Sequence, residues 1–554
     1  MKTPRPIRLG LYGLWLAAIG ALFALHAVHL RADFPNNSPW MDYSKYTDEG
    51  WYGKAAIAHY VLGSWYVHGD FNPSVALPVL PALELALFRF TGVSLVAARL
   101  LVLAIFAVNL LLAWLVLRSR FASAAYANTP APFSDTPFSE MRVSRPVALL
   151  AVTLLVANAF VYAFSRLAIL EQPMMLFLLA SWLLALRLPR MTTQTRRDLA
   201  HIAIGGALAL AVLTKTTALF LLPSTVFLIW HAYGYKLRAA LRPAATVALS
   251  GVIPFVAYYL LFVRPRYAYD YHYLFAVNVW NQPDTLGGYF AAFWYALHGA
   301  LWIDPWLCGL AMALLALAAI SFRSPWARGL WSNPLVIASL LACAGYVFFI
   351  GWHDSMQPRY YQVLAYPLVF VIALAVQALF DAARSTSRAA PSMMPRVIRA
   401  LAVAAVAIAV VASAANVREI VEWTRHPEYT WITAARRLTA YIDKHPNGNR
   451  LLLSVSGDNI TLITHLPAIC DDFGTWDLAK RIHNYRPGWY AAWNELDPGT
   501  LEDLSTQYTL ERVASFSAFD DPDRDQLILY KLHPLPAARR HYNQAIEEEA
   551  NAGR

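Results

Sequence analysis

The sequence predicts an all-α polytopic membrane domain, with about eleven transmembrane helices plus juxtamembrane helices, followed by a small C-terminal α/β extracytoplasmic domain. Three observations predict it. Of 554 residues, 58% are hydrophobic and only 14% are charged, against roughly 25% charged in a soluble protein. Apolar runs approaching the ~20 residues needed to cross a bilayer recur along the chain. The tail after residue 417 differs in composition, holding 20 of the 35 acidic residues. The domains are therefore drawn at 1–417 and 418–554.

The first apolar run, Leu9 to Leu30, follows Lys2, Arg5 and Arg8. No small-residue cleavage site follows it, so it reads as a retained span. Lys and Arg mark cytoplasmic loops, and they cluster within 2–8, 118–145, 187–197, 236–242, 323–328 and 384–399. The alternation places spans near 9–30, 97–117, 146–164, 172–188, 199–213, 217–233, 244–263, 301–320, 334–351, 360–380 and 398–416, with the N-terminus inside. Segment 76–90 contains Pro78, Pro81 and Glu84 and would invert every later loop if it crossed. It reads as a juxtamembrane or re-entrant helix, a short true span being the alternative. In the tail, Leu451–Val455, Trp489–Trp493, Val513–Phe516 and Leu527–Leu532 read as strands. Thr430–Asp443 and Leu501–Tyr508 read as helices.

The net charge of +10 does not indicate nucleic acid, because the basic residues sit in short loops between spans. Cys308, Cys343 and Cys470 form neither a disulfide framework nor a metal-ligand spacing. No cofactor is assigned, and a divalent metal is left open.

Asp48 and Glu49 form an acid pair about twenty residues beyond the first span. Solvated carboxylates gain nothing from packing beside a membrane, so the pair is a candidate for chemistry; a solvated turn is the plain alternative. Glu171 is a third carboxylate, in a loop so short that it sits at membrane level, where ionisable groups are commonly functional. Lys54, Arg166, Lys215, Arg264, Arg266 and Arg359 are candidate cations for a phosphate. Each has a plainer reading. Arg166 and Glu171 could pair with each other, Lys215 could snorkel from a helix end, and Arg264 and Arg266 could anchor the interface. The nearby Tyr and Trp residues could stack on sugar rings or form an interfacial belt.

In order and spacing, four segments resemble the membrane-embedded GT-C glycosyltransferases, in particular bacterial relatives of protein O-mannosyltransferases and of the lipid A aminoarabinose transferase. They are Tyr46-Thr47-Asp48-Glu49-Gly50-Trp51-Tyr52; Phe71-Asn72-Pro73-Ser74 leading to Ala97-Ala98-Arg99-Leu100; Ser165-Arg166-Leu167 through Glu171-Gln172-Pro173 and on to Leu213-Thr214-Lys215; and Pro358-Arg359-Tyr360-Tyr361. The resemblance covers roughly residues 9–380. It implies a polyprenyl-phosphate-linked sugar as donor and an inverting single displacement on the outer face. Asp48 then matches the principal catalytic acid and Glu49 its neighbour. Glu171 stands where the family usually has Asp, Lys215 falls near the donor phosphate, and Arg359 and Tyr360 match an Arg-Tyr pair. Gly50-Trp51 and the lack of a lysine beside Pro73 depart from the aminoarabinose pattern.

The expected enzyme is a hexosyl- or pentosyltransferase of a bacterial inner membrane, with its C-terminal domain periplasmic. Its partners would be membrane lipids, the lipid-linked donor, and a lipid, glycan or protein acceptor. A multi-span transporter and a polysaccharide polymerase or ligase of another class are the alternatives. Against the transporter, the spans carry few charges and show no repeated halves.

Overall fold

The computed structural model describes residues 5–35, 38–119, 143–277, 283–353, 356–389, 394–494 and 496–536. Residues 120–142, between the expected spans 97–117 and 146–164, lie outside them. In chain order the first helices are α1 Arg5–Ala27, α2 Asp48–Val61, α3 Val79–Thr91, α4 Leu95–Leu117, α5 Arg145–Val156, α6 Ala159–Ser165, α7 Glu171–Arg187 and α8 Gln194–Thr214. Next come α9 Leu222–Ala232, α10 Leu237–Tyr258, α11 Arg264–Arg266, α12 Ala268–Val277, α13 Leu286–Gly299, α14 Pro305–Ile320, α15 Pro325–Trp331, α16 Pro334–His353, α17 Gln362–Ala389 and α18 Met394–Arg425. The tail contributes α19 Thr430–Lys444, α20 Gly457–Thr464, α21 Leu478–Tyr485 and α22 Pro498–Ser505.

Among the described residues, eight helices are long and apolar enough to cross a membrane. Two further spans are broken: α5 and α6 bend by 63°, and Leu286–Trp302 meets Pro305–Ile320 at 114°. Thr216–Ala232 is a shorter apolar helix. These fill ten of the eleven expected positions with span-length segments; the eleventh, expected at 217–233, holds only that shorter helix. The span expected as 146–164 breaks at Asn158, whose side chain caps α6 by accepting from Val161 N. The span expected at 301–320 lies mainly in α14, which Asp304 and Pro305 begin. Helix α3 has 13 residues, about 20 Å at 1.5 Å per residue. That falls short of a ~30 Å hydrocarbon core, as a juxtamembrane helix requires.

The membrane core is apolar, with Phe106, Trp182, Tyr366 and Phe370 fully buried. A small polar cluster lies within it: Asn109 and Tyr366 both donate to Gln172 Oε1, at 2.8 and 2.7 Å.

In the tail, five strands form a sheet of order β2-β1-β3-β5-β4, where β1 is Leu452–Leu453, β2 Ala468–Ile469, β3 Trp489–Trp493, β4 Tyr508–Ser517 and β5 Gln526–Pro534. Strand β1 pairs in parallel with β2 and β3, whereas β5 runs antiparallel to β3 and β4. The four expected strands are present, β1 shorter and β4 longer than anticipated. The expected helix 501–508 begins earlier and ends at Ser505, because Asp497 caps it and Tyr508 already pairs in β4. Helix α18 runs unbroken through residue 417 to Arg425.

Candidate active site

Helix α2 organises the site. Asp48 and Glu49 occupy its first turn, where carboxylates suit the positive end of the helix dipole. At about 100° per residue, its first two turns present four faces. Asp48 and Tyr52 share one, Glu49 and Gly53 a second, Gly50 and Lys54 a third, and Trp51 and Ala55 the fourth. Each face meets different neighbours.

On the first face, Asp48 is 1% exposed. Its Oδ2 lies 2.8 Å from Arg359 Nε, a close ion pair not aligned as a hydrogen bond. Thr47 Oγ1 donates to Asp48 Oδ1 at 3.2 Å. Arg359 also grips Asp42, through Nη1 at 2.7 Å and through its backbone N–H at 2.8 Å. Its guanidinium carbon lies 5.0 Å from the Tyr360 ring centre. Lys215 Nζ stands 4.1 Å from that ring and is ion-paired to Glu171. The result is a continuous chain: Asp42, Arg359 and Asp48, then Tyr360, then Lys215 and Glu171. Burial raises the Asp48 carboxyl to about 6, while Arg359 opposes the rise and Asp42 and Glu171 add to it.

The second face is a brace. Glu49 takes a two-pronged ion pair from Arg99, at 2.8 and 2.6 Å, and accepts from Ala168 N at 2.8 Å. Arg99 in turn holds the Leu30 and Ala32 carbonyls. A Cβ on Gly53 would stand 2.5 Å from Glu84 Oε2. Glu84 is buried, and burial pushes its carboxyl well up.

The structure thus brings together Asp48, Glu171, Lys215, Arg359 and Tyr360, and adds Asp42, which sequence reasoning did not single out. Asp42 is an ordinary turn residue by sequence, accepting from Ser44 N; only the fold reveals its partner 317 positions away. The other expected phosphate cations stand elsewhere. Lys54 is buried between Asp70 and Asp458, at 2.5 and 3.1 Å. Arg166 does not pair with Glu171; it stacks on Tyr162 and donates to the Val28 and His29 carbonyls, just past the end of α1. Arg264 and Arg266 make up α11 and are exposed. Glu49 is occupied by Arg99. Among the described residues, no group of three His, Cys, Asp or Glu is placed to hold a metal ion.

Residues 116–280 match the family of dolichyl-phosphate-mannose-protein mannosyltransferases. Two solved structures resemble the chain over nearly its whole length. ArnT from Cupriavidus metallidurans bound to undecaprenyl phosphate superposes with a TM-score of 0.60 at 12% identity, covering 94% of this chain and 98% of that one. The apo oligosaccharyltransferase of Archaeoglobus fulgidus gives 0.51 at 12% identity, covering 93% and 76%. Sequence comparison with curated proteins finds no match. The fold is that of the GT-C membrane glycosyltransferases. The family match falls inside the region of apolar, membrane-length helices.

Proposed function

We propose that the chain transfers a sugar from a polyprenyl-phosphate donor to an acceptor at the outer membrane face, by inverting single displacement. One observation carries the reading: Asp48 is buried within a chain of groups that also presents two cations, Arg359 and Lys215, both against one tyrosine ring. That is the equipment for taking a proton and steadying a leaving phosphate at the same centre. The fold likeness to a protein solved with undecaprenyl phosphate supports the lipid-linked donor.

Three carboxylates (Asp42, Asp48 and Glu171) face two cations here. A donor phosphate therefore competes with them for Arg359 and Lys215. Arg359 reaches toward the phosphate while staying beside Asp48, whose pKa near 6 leaves it ionised at neutral pH yet a better base than an ordinary carboxylate. Asp48 then takes the proton of an acceptor hydroxyl. The acceptor oxygen bonds to the anomeric carbon, the bond from that carbon to the phosphate oxygen breaks on the opposite face, and the phosphate leaves with its electron pair. If the acceptor is itself a phosphate, Asp48 orients rather than deprotonates. Glu49 holds α2 in place through Arg99. The domain division at 417/418 and the placement of the tail on the periplasmic side of a bacterial inner membrane belong to this proposal.

The test uses purified protein in liposomes with a radiolabelled polyprenyl-phosphate sugar outside and a membrane acceptor extract. Release of polyprenyl phosphate with label appearing in the acceptor supports the proposal. Accumulation of free labelled solute inside, with the donor intact, indicates a transporter instead.

A further inference from the structure

The third and fourth faces of α2 are covered by the tail. A Cβ on Gly50 would lie 2.2 Å from Asn459 N and 2.3 Å from the Asp458 carbonyl carbon, so the backbone opening α20 presses directly on α2 at that residue. One turn on, Lys54 Nζ binds Asp458 Oδ2 at 3.1 Å and Asp70 Oδ2 at 2.5 Å, all three side chains buried. Asp70 also accepts from Cys470 N at 3.1 Å. Trp51 Nε1 donates to the Val455 carbonyl at 3.2 Å. Just before α2, Tyr46 is buried in the tail's own core, 5.5 Å from Trp493 and 6.3 Å from Phe519 between ring centres. Asp48 is therefore bracketed on both sides, at 46 and at 50–54, by contacts with residues of the C-terminal region.

From this we infer that Asp458 and Lys54 are positioning residues for Asp48, and that the C-terminal region is a working part of the catalytic centre. The inference rests on the role proposed for Asp48. A free α2 would be poorly held: two glycines in its first two turns each weaken a helix relative to alanine. Both are kept where a neighbour approaches too closely for a side chain, Glu84 at Gly53 and α20 at Gly50. What the helix lacks in its own rigidity, the Lys54–Asp458 ion pair and the α20 backbone supply. Lys54 is thereby spent on orientation, which explains why it is absent from the phosphate cluster. Asp458 acts through the helix, not on the substrate.

The decisive experiment is a double-mutant cycle in the full-length protein in liposomes, measuring single-turnover transfer from a labelled polyprenyl-phosphate sugar. Asp458→Asn should slow transfer roughly 10²-fold, the scale for small misplacement of a reacting group, with unchanged affinity for polyprenyl phosphate. Asp458→Glu should restore part of the rate. In an Asp48→Asn background, Asp458→Asn should add little further loss, because the group it positions is gone. An equal factor in both backgrounds, or no loss in either, overturns the inference. Hydrogen exchange reads the same device without turnover: Asp458→Asn should speed exchange of the first two turns of α2 while the membrane spans stay protected. Unchanged α2 exchange overturns it. Should Asp458→Asn fail to fold, Gly50→Ala, which displaces the α20 backbone, must give the same two signatures. Full activity of Asp48→Asn alone would sink the proposed chemistry, while the exchange result would still judge the mechanical link.

Discussion

Arg359→Gln separates a catalytic base from a buried structural carboxylate. In the wild-type protein the Asp48 carboxyl sits near 6, with Arg359 the strongest influence holding it down. At pH 7 about nine-tenths of Asp48 is then ionised. An opposite charge at contact distance lowers a carboxylate pKa by about 1–3. Removing the guanidinium should move the acidic limb of the rate profile up by that much. The sign is fixed by the chemistry: a base works deprotonated, so activity falls as pH drops through its pKa, and a higher pKa extends the loss toward neutrality. At pH 7 the ionised fraction should fall to between about one half and one hundredth, and activity should recover as pH is raised toward 9. The assay is single-turnover transfer at saturating donor from pH 5 to 9.5, which removes the expected rise in donor KM from the comparison. A limb that stays near 6 in Arg359→Gln would refute Asp48 as the titrating base.

Other expectations follow from the same contacts. Lys215→Met should weaken binding of polyprenyl phosphate by roughly 10-fold or more, since a hydrogen bond to a charged group contributes about 1.5–3 kcal/mol; unaltered affinity would remove Lys215 from the donor site. Arg99→Met leaves Glu49 buried without its guanidinium and should cost about 3–5 kcal/mol, read as a lower thermal midpoint; an unchanged midpoint would show that the Glu49–Arg99 pair is not a brace. Asp33→Ala removes the carboxylate that accepts from Trp431 N and Ile432 N at the start of α19 and should loosen that helix by about 1 kcal/mol, visible as faster exchange of residues 431–434. The double variant Arg264→Gln/Arg266→Gln, on an exposed turn, should retain transfer within about twofold; a large loss would return these arginines to the donor site.

The spans were legible because hydropathy and loop charge act locally along the chain. The bends were not, since Asn158 and Asp304 become breaks only when their side chains cap the next helix. Asp48, Arg359, Tyr360, Lys215 and Glu171 were legible as candidates because ionisable groups are costly beside lipid. Their grouping was not, because it depends on contacts hundreds of residues apart. Asp42 carries no local signal at all. Lys54 and Arg166 show the opposite error of scale. A lysine five residues after an acid pair, and an arginine five before a glutamate, resemble phosphate ligands until burial shows Lys54 held by Asp70 and Asp458 and Arg166 by the turn after α1. In the tail, β2 and α20 escaped notice because Ala468–Ile469 and Gly457–Thr464 are too short to show a period, and α20 is the element that touches α2.

The most direct measurement is single-turnover transfer by Asp48→Asn beside its affinity for polyprenyl phosphate. The asparagine keeps the shape and removes the base. The account predicts a rate lowered roughly 10²–10⁴-fold at a hydroxyl acceptor, with lipid affinity and folding retained. Transfer at the wild-type rate would contradict it.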